Sequence, residues 1–341
     1  MKYSIPSLQK QHNHLRWLYA TAFLALLLSF VGGLLFGSTG ISWRQMLSLG
    51  GEGFFSSPEG RILLYVRLPR TLASLVCGCG LAVAGAVIQN VLNNPLASPG
   101  IIGVNAGGGL AVTLCTAFGF LGGWQMSVAA FLGAFLAVTA VSLGARKWGA
   151  SRSTVVLLGV ALNSLLGAFS STVTTLFPQV GVMSNDFKVG AFSAVTMEKV
   201  LPAGLLIGMG TIALLTLSKE LEILTLGEDT AKSLGMNTAL LRRIFLLLAA
   251  LLAGCAVSLA GLLSFVGLMV PHCIRRLKVH STFHLLCLSG LFGGAFVSIC
   301  DTVSRTVFAP YELPVGILIA FLGVPFFVFL LINGKGVHRH G

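Results

Sequence analysis

The chain has 341 residues, of which 55% are apolar and 9% charged, with 42 glycines, a mean hydropathy of +0.91 and a formal net charge of +12. A water-soluble globular domain carries roughly 25% charged residues, so the composition excludes one. At about 20 residues per crossing there is room for ten spans joined by short loops, which predicts a single all-α polytopic membrane domain.

Taken in chain order, Lys2, Lys10 and Arg16 precede an apolar run from Leu18 to Phe36. That run exceeds the roughly 7 to 15 residues of a signal-peptide core and is read as a retained first span. Further apolar runs predict spans near 71 to 92, 101 to 118, 125 to 145, 154 to 177, 200 to 218, 243 to 262, a short one near 265 to 274, 283 to 300, and 314 to 332. An even number puts both termini on one side. With the termini in the cytoplasm, 15 of the 22 basic residues fall inside and 7 outside, as the positive-inside rule requires. The domain division is then a cytoplasmic segment 1–17, a polytopic membrane domain 18–332 and a cytoplasmic tail 333–341. The basic residues lie scattered between apolar runs rather than clustered on a face, so no nucleic-acid partner is expected.

No Asp, Glu, Lys or Arg stands in the middle of a predicted span, where ion-coupled carriers commonly place the groups that bind a coupling ion. A secondary carrier is thereby disfavoured. The chain also lacks G-x-x-x-x-G-K-[ST], H-E-x-x-H and G-x-S-x-G motifs. It is not expected to be an enzyme, no cofactor is called for, and the driving energy has to come from another subunit. The seven cysteines sit mostly in apolar stretches without C-x-x-C spacing and read as packing residues. His272 has no second ligand at suitable spacing, so no metal site is expected. A shift of 176 residues lays Leu75–Pro95 over Leu251–Pro271 with seven of 21 identities. Since the two copies would run in opposite directions, this predicts an inverted internal repeat.

Five stretches, in order, resemble the FecCD-type permeases that import iron chelates and cobalamin in bacteria. They are R-L-P-R-T-L-A from Arg67, G-A-V-I-Q-N-V-L-N-N-P-L-A-S-P-G-I-I-G-V from Gly85, L-G-E-D-T-A-K-S-L-G-M-N from Leu226, S-F-V-G-L-M-V-P-H from Ser264, and F-A-P-Y-E-L-P-V-G-I-L from Phe308. The resemblance implies ten helices with cytoplasmic termini in a bacterial inner membrane. It also implies pairing with a second permease copy or a paralogue, two cytoplasmic ATP-binding subunits, and an extracytoplasmic substrate-binding protein. It makes the loop 224–238 the element that seats in the ATPase, through Gly227, Glu228, Asp229, Ala231, Lys232, Ser233, Leu234 and Gly235. An ordinary amphipathic loop helix, acidic in its first turn and closed by a glycine, is the bland alternative.

On the outer face the resemblance makes Arg67, Arg70 and Arg305 docking points for carboxylates of the binding protein, a task suited to guanidinium groups. Interfacial snorkelling is the alternative. It directs the pathway along the fifth and tenth spans, with inner gates near Asn94 and Leu96 and near Ser153. Asn163, Ser164 and the hydroxyls from Ser170 to Thr175 give the fifth span a weakly polar face, unless those hydroxyls bond their own helix carbonyls. Lys188 is placed near the outer mouth, to attract an anionic chelate or to touch the binding protein. The expected cargo is a siderophore or haem, with cobalamin or another metal cargo as the alternative.

Overall fold

The computed structural model describes residues 5–38, 57–120, 123–147 and 152–334. Residues 1–4, Arg44 and the tail from Lys335 lie outside the described residues. Each predicted span coincides with a helix: α1 (Ile5–Leu35), α3 (Leu68–Leu92), α4 (Val104–Ala117), α5 (Gly123–Lys147), α6 (Arg152–Leu176), α9 (Met197–Thr216), α12 (Thr238–Ala260), α13 (Val266–Arg276), α14 (Thr282–Thr306) and α15 (Val315–Gly334). Short helices connect them: α2 (Pro58–Ile62), α7 (Pro178–Met183), α8 (Asn185–Val189), α10 (Ser218–Thr225) and α11 (Glu228–Ser233). The described residues contain no strand. Among the described residues, seven helices are long and apolar enough to cross a membrane, and α4 and the Val315–Leu330 part of α15 are shorter apolar helices.

The second span begins earlier than its hydropathy suggests. A π-helical turn, Leu63–Arg67, joins α2 to α3 immediately before Pro69. Proline has no N–H and crowds the carbonyl of the preceding turn, and a wider turn accommodates it. This turn also fixes which way Arg67 and Arg70 face.

α3 is the hub of the molecule, packed by α1, α9, α12, α13 and α14. Of the most apolar stretch of this span 78% is buried, against 11% for the span in α6. Without a hydrophobic drive between helices in lipid, close backbone approach supplies the packing. A Cβ on Gly78 would collide with the Gly293 carbonyl of α14, and one on Gly85 with the backbone of Gly267 in α13.

The break between α12 and α13 leaves backbone groups at membrane depth that need partners. The segment before α9 supplies them: Leu262 N–H donates to the Phe187 carbonyl at 2.9 Å, and Ala191 N–H donates to the Ala260 carbonyl at 2.9 Å. Gly316 N–H, at the start of α15, donates to the Gly190 carbonyl at 3.0 Å.

The internal repeat shows as order, since α3–α4–α5–α6 and α12–α13–α14–α15 each run long, short, long, long. The 176-residue register is corrected. It pairs Gly85, inside α3, with Gly261, which caps the end of α12 at φ 70°. Glycine matches in two apolar helices brought those positions together, not equivalent places in the fold.

Candidate functional site

The loop 224–238 folds into a small, well-braced knuckle. Gly227, at φ 121°, turns the chain into α11. The helix closes in a Schellman arrangement: Gly235 at φ 79°, Gly235 N–H donating to the Lys232 carbonyl at 2.9 Å, and Met236 N–H to the Ala231 carbonyl at 3.1 Å. Ala231 is fully buried beneath it, whereas Asp229, Lys232, Ser233 and Gly235 are exposed. Leu226 and Leu234, 65% and 63% exposed, present apolar side chains beside those charges.

Glu228 ties the knuckle to the membrane domain. Its Oε1 lies 3.0 Å from Lys232 Nζ, and its Oε2 accepts from Arg242 Nη2 at 3.1 Å. Hydrogen bonds from Lys232 and then Arg242 hold its carboxyl below the usual carboxylate range. Arg242 is buried at the start of the second turn of α12. A second tie runs from α10, where Glu222 Oε2 accepts the N–H of Thr282, the first residue of α14, at 2.9 Å. A carboxylate there also suits the positive end of the helix dipole. Neither Arg242 nor Glu222 stood out in the sequence, because their partners lie on other elements.

At the outer ends of the helices, the three arginines depart from the expected exposed docking points. Arg67, Arg70 and Arg305 are 2%, 7% and 3% exposed. Arg67 Nη1 donates to the carbonyls of Leu34 and Leu35 at 2.9 and 2.8 Å, and Arg305 Nη2 donates to that of Gly33 at 2.7 Å. Both therefore satisfy carbonyls that α1 leaves unpaired at its C-terminal end. Arg70 grips Asp301 through Nε, at 3.1 Å to each carboxylate oxygen, and through Nη2 at 3.0 Å. Its Nη1 donates to Glu312 Oε2 at 2.6 Å, and Ser38 Oγ donates to Glu312 Oε1 at 2.8 Å. Burial alone would raise the Glu312 carboxyl, but these donors hold it below the ordinary range. Arg305 Nε lies 3.5 Å from Asp301 Oδ2, close enough for Coulomb attraction but not aligned for a hydrogen bond. Their burial has a simple cause: helix ends and buried acids on distant elements compete for these guanidinium groups. Asp301, 1% exposed, is the residue the sequence reading missed. The exposed side chains on this face include Phe308 and Tyr311.

The gate residues fall around the turn that follows α3. Asn94 Oδ1 accepts the Leu96 N–H at 2.9 Å, an Asx turn that shapes the segment entering the 3₁₀ turn Pro99–Ile102. Asn163 Nδ2 donates to the carbonyls of Gly100 and Ile101 at 2.9 and 3.1 Å, tying α6 to that turn. Ser153 is exposed in the first turn of α6. Much of the hydroxyl face of α6 is self-satisfied: Ser164 donates to the Val160 carbonyl, Thr172 to Ala168, and Thr175 to Ser171. Above them a cavity of about 370 Å³ lies between α4 and α6, lined by Asn105, Ser170, Ser171, Thr174 and Lys188 among others.

A further network, absent from the sequence reading, joins α3 to α13. Arg275 donates to Gln89 Oε1 and to Asn90 Oδ1, while Gln89 Nε2 donates to the Gly267 carbonyl at 3.1 Å. Gln89 and Asn90 lie one turn before Asn93 and Asn94, so this clamp and the gate turn share a helix end.

A bundle of long and broken apolar helices with a braced loop at one end is the architecture that this chain shares with ABC transporter permeases. The chain matches the FecCD transport family over residues 24–333 and belongs to it. It is 34% identical to the hemin transport system permease HmuU of Yersinia pestis, over 80% of this chain and 84% of that one. It is 32% identical to the vitamin B12 import system permease BtuC of Yersinia pseudotuberculosis, over 96% and 95%. Among solved structures, an inward-facing ABC transporter assigned to the metal-chelate type superposes with a TM-score of 0.83 at 30% identity, covering 93% of this chain and 99% of that one. The chain is thus an ABC importer permease, a multi-pass transport subunit of a family whose members work with ATPase subunits and substrate-binding proteins.

Proposed function

We propose that this permease imports an iron chelate, a siderophore or haem, across a bacterial inner membrane by alternating access. Two cytoplasmic ATP-binding subunits drive it, and an extracytoplasmic binding protein delivers the cargo. The observation that carries the reading is the knuckle at 224–238, in which Leu226 and Leu234 stand exposed between fixed charges while Glu228 and Glu222 tie the same segment to α12 and α14. A partner that moves the knuckle would move both helices. α14 has 25 residues, about 37 Å at 1.5 Å per residue, and its outer end carries Asp301 and Arg305. A displacement applied beside Thr282 is therefore delivered to the outer ion network. In this scheme Gly227, Glu228, Asp229, Ala231, Lys232, Ser233, Leu234 and Gly235 form the seat for the ATPase.

A second permease copy, identical or paralogous, covers α6, whose span is the least buried of the long ones and exposes Leu157, Leu165 and Phe169. The cargo passes along this face, with the gates at Asn94, Leu96 and Ser153 and with Asn163 and Ser164 on its wall. Lys188, on the lining of the cavity beside α6, gives the mouth a positive charge that favours an anionic chelate. The binding protein docks on the outer face around Phe308 and Tyr311, above Arg67, Arg70 and Arg305, which hold that face together from beneath. The likeness to HmuU supports haem, and the likeness to BtuC keeps cobalamin as the second reading. Uptake by proteoliposomes holding the permease, its ATPase and its binding protein, with hemin, a ferric siderophore and cobalamin in competition, tests the choice. ATP-dependent uptake of cobalamin alone would overturn the iron-chelate reading.

A further inference from the structure

A second cavity, of about 490 Å³, lies away from the proposed pathway, between α5 and α9 where both pack on α12. Its lining comes from the beginning of α5 (Trp124), the beginning of α9 (Glu198, Lys199) and the end of α12 (Ser258). With the termini in the cytoplasm, those three ends lie together at the extracytoplasmic boundary of the membrane. The volume falls within the roughly 300–1,000 Å³ of small-molecule sites.

The lining is graded along the membrane normal. At the mouth stand Glu198 and Lys199, the charged residues among the lining, with the hydroxyl groups of Ser127 and Thr196 nearby. Deeper in, Val128, Phe131 and Leu206 make an apolar floor. Trp124, 68% exposed, stands at the rim, where an indole ring is favoured at the lipid–water boundary. No ion pair joins Glu198 and Lys199 to each other among the described residues; Lys199 Nζ donates only to the Ala194 carbonyl, at 3.3 Å. A mouth with one cation and one anion over an apolar floor complements a molecule that is zwitterionic at one end and apolar at the other.

We propose that this cavity binds a phospholipid of the outer leaflet with an ethanolamine headgroup. Lys199, in the first turn of α9 where the helix dipole also favours an anion, pairs with the lipid phosphate. Glu198 accepts from the ammonium group, and an acyl chain lies against Val128, Phe131 and Leu206. An anionic glycerol headgroup lacks the ammonium and would set its net negative charge beside Glu198, so the site discriminates between the two lipids. The site is independent of the cargo and of the ATPase.

The test is native mass spectrometry of the full-length permease released from nanodiscs made with equal amounts of palmitoyl-oleoyl phosphatidylethanolamine and the matching phosphatidylglycerol. Retention of one ethanolamine lipid over the glycerol lipid by about tenfold is expected, the scale of one charge-assisted hydrogen bond. Lys199→Ala and Glu198→Gln should each reduce that preference to threefold or less, and Val128→Trp, which fills the floor, should abolish retention. Lys278→Ala, exposed on the cytoplasmic side, should leave it unchanged. Equal retention of both lipids, a preference for the glycerol lipid, or a preference untouched by Glu198→Gln would overturn the proposal. Glu198 is exposed, so its variant keeps the test valid even if Lys199→Ala folds poorly.

Discussion

Replacing Asp301 by alanine should destabilise the protein more than any other single change on its outer face. The carboxylate is 1% exposed, accepts three hydrogen bonds of 3.0–3.1 Å from Arg70 and lies 3.5 Å from Arg305. Arg70 would keep Glu312, whose side chain is about a third exposed, but Arg305 would be left buried beside no acid nearer than that loop. Removing one partner of a buried ion pair costs about 3–5 kcal/mol, because the remaining charge stays desolvated. Glu312→Gln, which preserves an acceptor and touches solvent, should cost only about 0.5–1.5 kcal/mol. Unfolding in mixed detergent micelles gives both values, and a double-mutant cycle with Arg70→Met isolates the pair. In that cycle the double variant should lose less than the two single losses together. An Asp301→Ala variant within about 1 kcal/mol of the parent would refute the reasoning.

Reversing the charge of Glu228 to arginine should leave the protein inserted and folded but uncouple ATP hydrolysis from uptake, since it sets a third cation beside Lys232 and Arg242; normal transport by the variant would contradict the coupling role. The same carboxylate gives a pH dependence. Its folded-state pKa is depressed, so the tie it makes is fully present above the ordinary glutamate range near about 4.3 and is lost as pH falls through the lowered value. Hydrogen exchange of the amides from Ala231 to Met236 should accordingly stay flat from pH 8 to 5 after correction for intrinsic rates. Loosening between pH 6 and 5 would count against this account. Gly85→Leu, which drives a side chain into the backbone of Gly267, should separate α3 from α13 and cost stability toward the upper end of the about 1–3 kcal/mol typical of overpacking, measured by the same unfolding assay; a neutral result would mean that the helices do not meet there.

The spans were legible in the sequence because lipid imposes a length and a composition on each one, and the cytoplasmic knuckle was legible because an acidic first turn at Glu228 and Asp229 and a closing glycine, Gly235, mark a short helix in a polar segment. The roles of the charged residues were not. Arg67, Arg70 and Arg305 read as surface groups because sequence position reports the depth of a residue along its helix but not its neighbours across the bundle. Asp301 lies 231 positions from Arg70, and Leu34 lies 33 positions from Arg67; nothing local indicates either pairing. Gln89 and Arg275 were hidden for the same reason, 186 positions apart in the chain. The repeat was visible in its existence and misread in its register, since glycine pairs recur wherever helices approach closely, in equivalent places or not.

The central claim is that ATP hydrolysed by a partner, acting through the 224–238 knuckle, drives a chelate through this subunit. Its most direct test is uptake of a radiolabelled ferric siderophore or hemin into proteoliposomes containing the permease, its ATPase and its binding protein, with ATP inside and a protonophore present. The account predicts uptake that persists without a proton gradient, stops without ATP, and is lost in the Glu228→Arg variant while ATP hydrolysis continues. Uptake that collapses with the proton gradient and proceeds without ATP would contradict it.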